Sequence, residues 1–313
     1  MGMLTYVLSR LAGLIPVLLA VSFVSFLLIQ LSPGDPAEVA IRVNALTPTP
    51  ELLAETRTQL GLDKPFLARY LHWLTHALQG DLGTRHIDGK PVAEEMARAL
   101  PPTLLLAGTA AVVILLCSIP AALISAFFEG SLPDVVLRTL LFVSTSFPTF
   151  WAGLLLLWLF SVHWDLLPLS GLEEPRSLIL PSITLALPYI STYTRLLRSS
   201  LLEAKQQNFV LYEKTCGLRV TTILRHIFRN SLQTSLTGLG MSLPRLIAGT
   251  FVVECLFAWP GLGRLCVSAI FNRDLPVIQA YILLMGILFA LFKAFMEICA
   301  ALADPRMRDR GKK

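Results

Sequence analysis

The chain has 313 residues, of which 54% are hydrophobic and only 15% charged. A soluble domain carries about 25% charged residues, so a mean hydropathy of +0.66 places this chain among integral membrane proteins. A net charge of +5 does not by itself indicate nucleic acid, because the basic residues sit at the flanks of apolar runs.

Six apolar stretches, residues 4–31, 101–127, 138–162, 178–200, 231–256 and 277–302, are long enough to span a membrane. A hydrocarbon layer of about 30 Å takes about 20 helical residues. Backbone polar groups must be satisfied within the segment there, so all six are predicted as helices. The first run is too long for a signal-peptide core and lacks a small-x-small cleavage site before SPGDP (32–36), so a retained helix is expected. The chain then divides into an N-terminus and first helix (1–31), a long loop (32–100) and a five-helix membrane core (101–313). The core includes a basic loop over 195–230 and a basic tail over 303–313.

Orientation follows from the flanking Lys and Arg residues. With the N-terminus inside, fourteen fall on cytoplasmic segments and three on external ones once the 32–100 loop is set aside. Long translocated loops carry little weight, so both termini are expected in the cytoplasm, DPRMRDRGKK included.

The 32–100 loop is therefore external, and two helices are predicted in it. TPTPELLAETRTQLGL offers Thr49 as N-cap, Pro50 at the first helical position and Gly61 past the end. PFLARYLHWLTHALQG places Leu67, Tyr70, Leu71, Leu74 and Leu78 at helical spacing and stops at Gly80. His72 and His76 on this second helix stand four apart, but zinc-type sites need three or four protein ligands, so no metal site is expected. His163 and Trp164 read as interface anchors at the outer end of the third span. The five cysteines (Cys117, Cys216, Cys255, Cys266, Cys299) are scattered and form neither a disulfide framework nor a metal pattern.

Between Arg195 and Asn230 the chain reads RLLRSSLLEAKQQNFVLYEKTCGLRVTTILRHIFRN. It is basic, rich in helix formers and broken once at Gly217. Two short amphipathic helices joined at a glycine would suit docking into a groove on a partner. A basic helix lying on lipid phosphate would look similar. His226 falls in the same stretch as a surface or docking residue.

Charge inside a span marks either function or a structural pair. Arg245 lies near the middle of the fifth span, without an evident carboxylate partner. Lys293 and Glu297, four apart in the sixth, can pair along one helix face or line a pathway. No phosphate-loop pattern occurs, and no nucleophile–base set is clustered, so catalytic residues, cofactors and ATP hydrolysis are not expected in this chain. The Gly261-Leu262-Gly263 turn in FAWPGLGR lacks the third glycine and the preceding strand of a dinucleotide loop. It reads instead as an external turn that leads the chain back to the membrane, with Val267–Phe271 as a short apolar segment.

A set of short motifs runs in order through the whole chain. These are SPGDP, GLDKP (61–65), GDLG (80–83), LPPTLLLAG (100–108), RHIFRN (225–230), VVECLFAWPGLGR (252–264), FNRDLPVIQA (271–280) and ADPRMR (303–308). In this order and spacing the sequence resembles the dipeptide, oligopeptide and nickel permeases of ATP-binding-cassette importers. The resemblance implies an all-α, type I importer permease with six transmembrane helices, multi-pass in a bacterial inner membrane. It implies that Glu213, Lys214, Thr215, Cys216, Gly217 and Leu218 occupy the family's ATPase-coupling motif, with Glu213 where the family has a small residue. The implied partners are a second, paralogous permease chain, two cytoplasmic ATPase subunits, an extracytoplasmic solute-binding protein and the lipid bilayer, with no nucleic acid. Within the family the stretches TPTPELLAETR, FAWPGLGR and AIFNRDLPVIQAY look closest to permeases for nickel or opine-type metallophore complexes. A dipeptide or oligopeptide permease is the alternative, and a secondary transporter a remote one.

Overall fold

The computed structural model describes residues 3–31, 37–38, 41, 47–59, 61–172, 174–240 and 243–303. SPGDP and the tail from residue 304 lie outside them. The helices are α1 (Met3–Gln30), α2 (Pro50–Gln59), α3 (Phe66–Leu78), α4 (Val92–Phe127), α5 (Leu132–Ser146) and α6 (Thr149–Leu157). They continue with α7 (Ile179–Lys205), α8 (Asn208–Thr215), α9 (Val220–Gly240), α10 (Leu243–Leu256), α11 (Leu262–Phe271) and α12 (Leu275–Ala303). A π-helical segment, Trp158–His163, prolongs α6. Among the described residues no β-strand forms, only a single antiparallel bridge between Thr84 and Pro91. The all-α architecture expected from the apolar runs is what the chain adopts.

Length and composition allow α1, α4 and α12 each to cross a membrane. The third expected span, 138–162, is not one rod: α5 and the α6 segment meet at 101°. Pro148 explains the break, because the residue before a proline is driven out of the helical region, and Phe147 sits at φ −98°, ψ 141°. The fourth, 178–200, falls on α7 from Ile179 onward, a helix long enough to cross but too polar to qualify on composition. Its Ser182, Thr184, Ser191 and Thr194 are buried inside the protein. The fifth, 231–256, is shared between the end of α9 and α10.

The described helices fall into two compact units, residues 103–259 with 295–303, and residues 3–102 with 260–294. The first unit is built around α7, which packs against α5, α6, α9 and α10. Its core joins Leu106, Ala110 and Ile114 of α4 to Leu185 and Tyr193 of α7, Val253 of α10, and Phe257 and Trp259. Close approach is set at Gly153, where an added Cβ would stand 2.5 Å from Leu256 and 2.8 Å from Thr184. A second cluster at the far end of α7 joins Ala122 and Ala126 to Leu197, Leu201, Val210, Ile223 and Ile227.

The second unit pairs α1 with α3 through Phe23, Phe26, Phe66, Tyr70 and Trp73, whose rings meet mostly edge to face. Tyr70 Oη and Ser22 Oγ, both buried, are hydrogen-bonded at 2.8 Å. Elsewhere in this unit Val92, Met96 and Ala99 of α4 pack with Leu262 and Ala269 of α11 and Val277 of α12. Arg85 lies 3.1 Å from Asp88, 3.5 Å from Glu95 and 3.7 Å from the fully buried Asp274. Asp274 also accepts the His86 backbone N–H at 3.2 Å. Burial lowers the His86 pKa below its ordinary 6.5, opposed by the charge of Asp274.

Both helices predicted in the 32–100 loop are present. The Leu52 N–H donates to Thr49 Oγ1 at 3.3 Å, the N-cap bond expected of that threonine. Gly61 (φ 64°) and Gly80 (φ 86°) end α2 and α3 in the left-handed region. Two non-glycine residues share that conformation around α11: Ala258 (φ 50°) before it and Arg273 (φ 54°) after it. The apolar stretch expected at Val267–Phe271 belongs to α11, which starts at Leu262 with Gly261 extended at its N-cap.

Candidate functional site

After α7 the chain makes a tight reversal through Gln206 and Gln207, and Gln207 is extended at φ −74°, ψ 150° to start α8. Eight residues later α8 ends at a glycine. Gly217 takes φ +71°, its N–H donates to the Lys214 carbonyl at 3.1 Å, and the Leu218 N–H donates to the Glu213 carbonyl at 3.1 Å. That pair of bonds is the Schellman closure, which satisfies carbonyls the helix end would otherwise orphan. No atom lies within 4 Å of the position a Cβ would take on Gly217, so the glycine is required by backbone conformation and not by crowding. The expectation of two short helices joined at Gly217 is corrected on one side: the first is short, but the second, α9, runs 21 residues.

α8 is held from beneath and open above. Val210 is 3% exposed and, with Phe209 beside it, packs on Leu197, Leu201, Ile223 and Ile227. Glu213 Oε1 meets His226 Nδ1 at 2.7 Å, tying α8 to α9. His226 is exposed, as expected of a surface residue, and forms this tie. The outward face carries Leu211 and Tyr212, 65% and 69% exposed, with Lys214, Thr215, Cys216, Leu218 and Val220 all exposed. An apolar cleft of about 500 Å³ opens beside it, lined by Phe127, Leu201, Val210, Leu218 and Ile223, with Lys205 and Lys214 also on its wall. Such a surface can seat a partner by apolar contact, with basic residues to orient it.

The structure thus gathers Glu213, Lys214, Thr215, Cys216, Gly217 and Leu218 into one turn, exposed except at Glu213. The other three candidates lie on other helices, α10 and α12. Arg245 is exposed in the first turn of α10 and lies within electrostatic reach of Tyr189 on α7. Lys293 is exposed and Glu297 half-buried, one turn apart on α12. Among the described residues no group of three or more His, Cys, Asp or Glu side chains could hold a metal ion. His72 and His76 stack on each other at 4.3 Å.

Two buried carboxylates of the first unit are not singled out by the sequence pattern. Glu254, fully buried on α10, accepts a hydrogen bond from Thr103 Oγ1 at 2.7 Å. A lone acid in the apolar run 243–256 was the available signal. Asp134, also fully buried, accepts from Ser125 Oγ and from the Gly130 N–H at 3.1 Å and pairs with Arg198 and Arg138. Its i, i+4 spacing to Arg138 was legible, but Arg198 is distant in sequence.

Residues 118–309 match the model of the "binding-protein-dependent transport system inner membrane component" family, and residues 3–107 match its N-terminal companion. Over 312 residues the chain is 38% identical to the metal-staphylopine import system permease protein CntB of Staphylococcus aureus, covering 99% of this chain and 100% of that one. It is also 38% identical over 307 residues to the glutathione transport system permease protein GsiC of Salmonella choleraesuis, covering 98% and 99%. A crystal structure of an amino acid ABC transporter shares the fold, with a TM-score of 0.54 at 14% identity over 66% of this chain and 93% of that one. The chain therefore belongs to the binding-protein-dependent transport system inner membrane components, the permease subunits of ABC importers.

Proposed function

We propose that this permease forms half of the translocation pathway for a chelated transition metal (nickel, cobalt or zinc on a metallophore, or nickel itself) and is driven through the turn at Gly217. The observation that carries the coupling half is α8: a short helix anchored by Val210, closed by Gly217 and exposed along Leu211, Tyr212 and Leu218. Two cytoplasmic ATPase subunits, one per permease chain, would receive that face. Their closure would move α8 as a rigid piece and switch the pathway between two packings. A paralogous permease supplies the other half, and an extracytoplasmic binding protein delivers the substrate. The chain sits in the bacterial inner membrane with both termini cytoplasmic, the loop over 32–100 outside, and the turn at Gly217 inside. ATP hydrolysis belongs to the partners, not to this subunit.

Full-length identity to a metal-staphylopine permease supports the metal reading. Equal identity to a glutathione permease supports a second one, a dipeptide or oligopeptide substrate. Uptake of radioactive nickel by a deletion strain, with and without added metallophore, separates them. Loss of uptake that the wild-type gene restores supports the metal reading. Normal metal uptake together with loss of growth on peptides replaces it with the second.

A further inference from the structure

Between α5 and α7 lies a cleft of about 370 Å³ whose wall carries three guanidinium groups, those of Arg138, Arg195 and Arg198. One acid, the buried Asp134, offsets them. Asp134 stands 3.2 Å from Arg138 Nε and 3.1 Å from Arg198 Nη2, and Arg198 Nε also donates to Ser125 Oγ at 2.8 Å. Those contacts fix two of the guanidinium groups in place. Arg195, one turn before Arg198, has no hydrogen bond or ion pair among the described residues. Beside it Thr194 lines the cleft, is only 2% exposed, and keeps a buried Oγ1 with no hydrogen-bond partner. A buried hydroxyl left unpaired is destabilising, so its presence in the wall of a cationic cleft calls for an acceptor that fills it. Three cations against one anion, with a vacant guanidinium and a vacant hydroxyl side by side, fit the oxygens of a phosphate.

The surroundings select the kind of phosphate. Val135 and Phe142 of α5 also line the cleft, and with Leu140 and Val143 they leave the outer face of α5 apolar and exposed, Phe142 at 70%. The cleft lies about two to three helical turns before the end of α7, toward the turn that carries α8. We propose that this cleft binds the phosphate of an anionic phospholipid, with Arg195 and Arg138 on the phosphate oxygens, Thr194 Oγ1 donating to one of them, and the acyl chains along α5. Arg198 is a positioning residue, held by Asp134 and Ser125 so that its charge faces the same cleft.

Native mass spectrometry of the intact transporter tests this, after release from phosphatidylcholine nanodiscs containing phosphatidylglycerol. Wild type should retain phosphatidylglycerol in preference to phosphatidylcholine. Near a membrane surface each Lys or Arg is worth about 1 kcal/mol, so Arg195→Gln should lower that retention about fivefold. Thr194→Val should lower it too. In a cleft that holds no ligand the same change would only remove an unpaired hydroxyl, raising thermal stability and leaving lipid retention untouched. Equal retention of the two lipids, or unchanged phosphatidylglycerol in Arg195→Gln, overturns the proposal. Displacement of phosphatidylglycerol by millimolar inorganic phosphate overturns the lipid assignment in favour of a free anion.

Discussion

Gly217 offers a test of backbone conformation with little else confounding it. Its φ of +71° lies in the left-handed region, and the space around its missing Cβ is empty. An L-residue there costs about 1–2 kcal/mol, a β-branched one more, and asparagine least among side-chain-bearing residues. A destabilisation of that size changes the population of the closed turn about 5- to 30-fold. The anchoring residues Val210, Ile223 and Ile227 do not depend on Gly217, so membrane insertion and helix content should stay as in wild type. Gly217→Asn, Gly217→Ala and Gly217→Val, each reconstituted with the ATPase and binding-protein subunits in proteoliposomes, should lose ATP-driven uptake in that order, valine worst. Wild-type uptake in Gly217→Val would refute the reasoning. Asparagine as damaging as valine would shift the cause from backbone strain to bulk at a contact surface.

Val210→Ala removes two buried carbons, worth about 1.5–2 kcal/mol, from beneath α8. Limited trypsin digestion at Lys214 and Arg219 should then run about tenfold faster, and an unchanged rate would show that α8 is held by something other than this contact. Thr103→Val takes away the 2.7 Å donor to Glu254 and should lower stability by about 1–3 kcal/mol in a detergent melt, whereas Thr103→Ser should keep most of it. For His86 the folded pKa lies below the unfolded 6.5, so the unfolded chain takes up the proton first. Stability present above pH 6.5 is then lost as pH falls through 6.5 toward the lower folded value, and His86→Gln should flatten that part of the melting-temperature profile.

Apolar run length made the helical architecture readable, and cap residues made the two loop helices readable as well. Thr49, Pro50, Gly61 and Gly80 each act within a few residues of themselves, which is why their roles could be read locally. The same holds for the break at Gly217. The bend at Phe147–Pro148 is equally local, but hydropathy averaged over a span runs straight across it. What stayed hidden depends on contacts across sequence. Arg198 meets Asp134 across 64 positions and Thr103 meets Glu254 across 151, and nothing in either neighbourhood names the partner. Burial was hidden too: α7 reads as a membrane span, yet its Ser182, Thr184, Ser191 and Thr194 face protein.

The segment from Phe257 to Pro276 uses one device twice. Ala258 and Arg273 sit in the left-handed region, and each is followed at once by a fully buried anchor, Trp259 and Asp274. The anchors' own N–H groups return 2.8 Å bonds to the carbonyls of Glu254 and Ala269 five residues back. Mutational tolerance at the two positions should therefore be set by the backbone and not by side-chain chemistry. In a saturation library glycine and asparagine should survive at 258 and 273 and β-branched residues should be depleted, even though Arg273 is solvent-exposed. An exposed position with a narrow allowed alphabet is ordinarily taken for a contact site; here the narrowness would come from the path of the main chain.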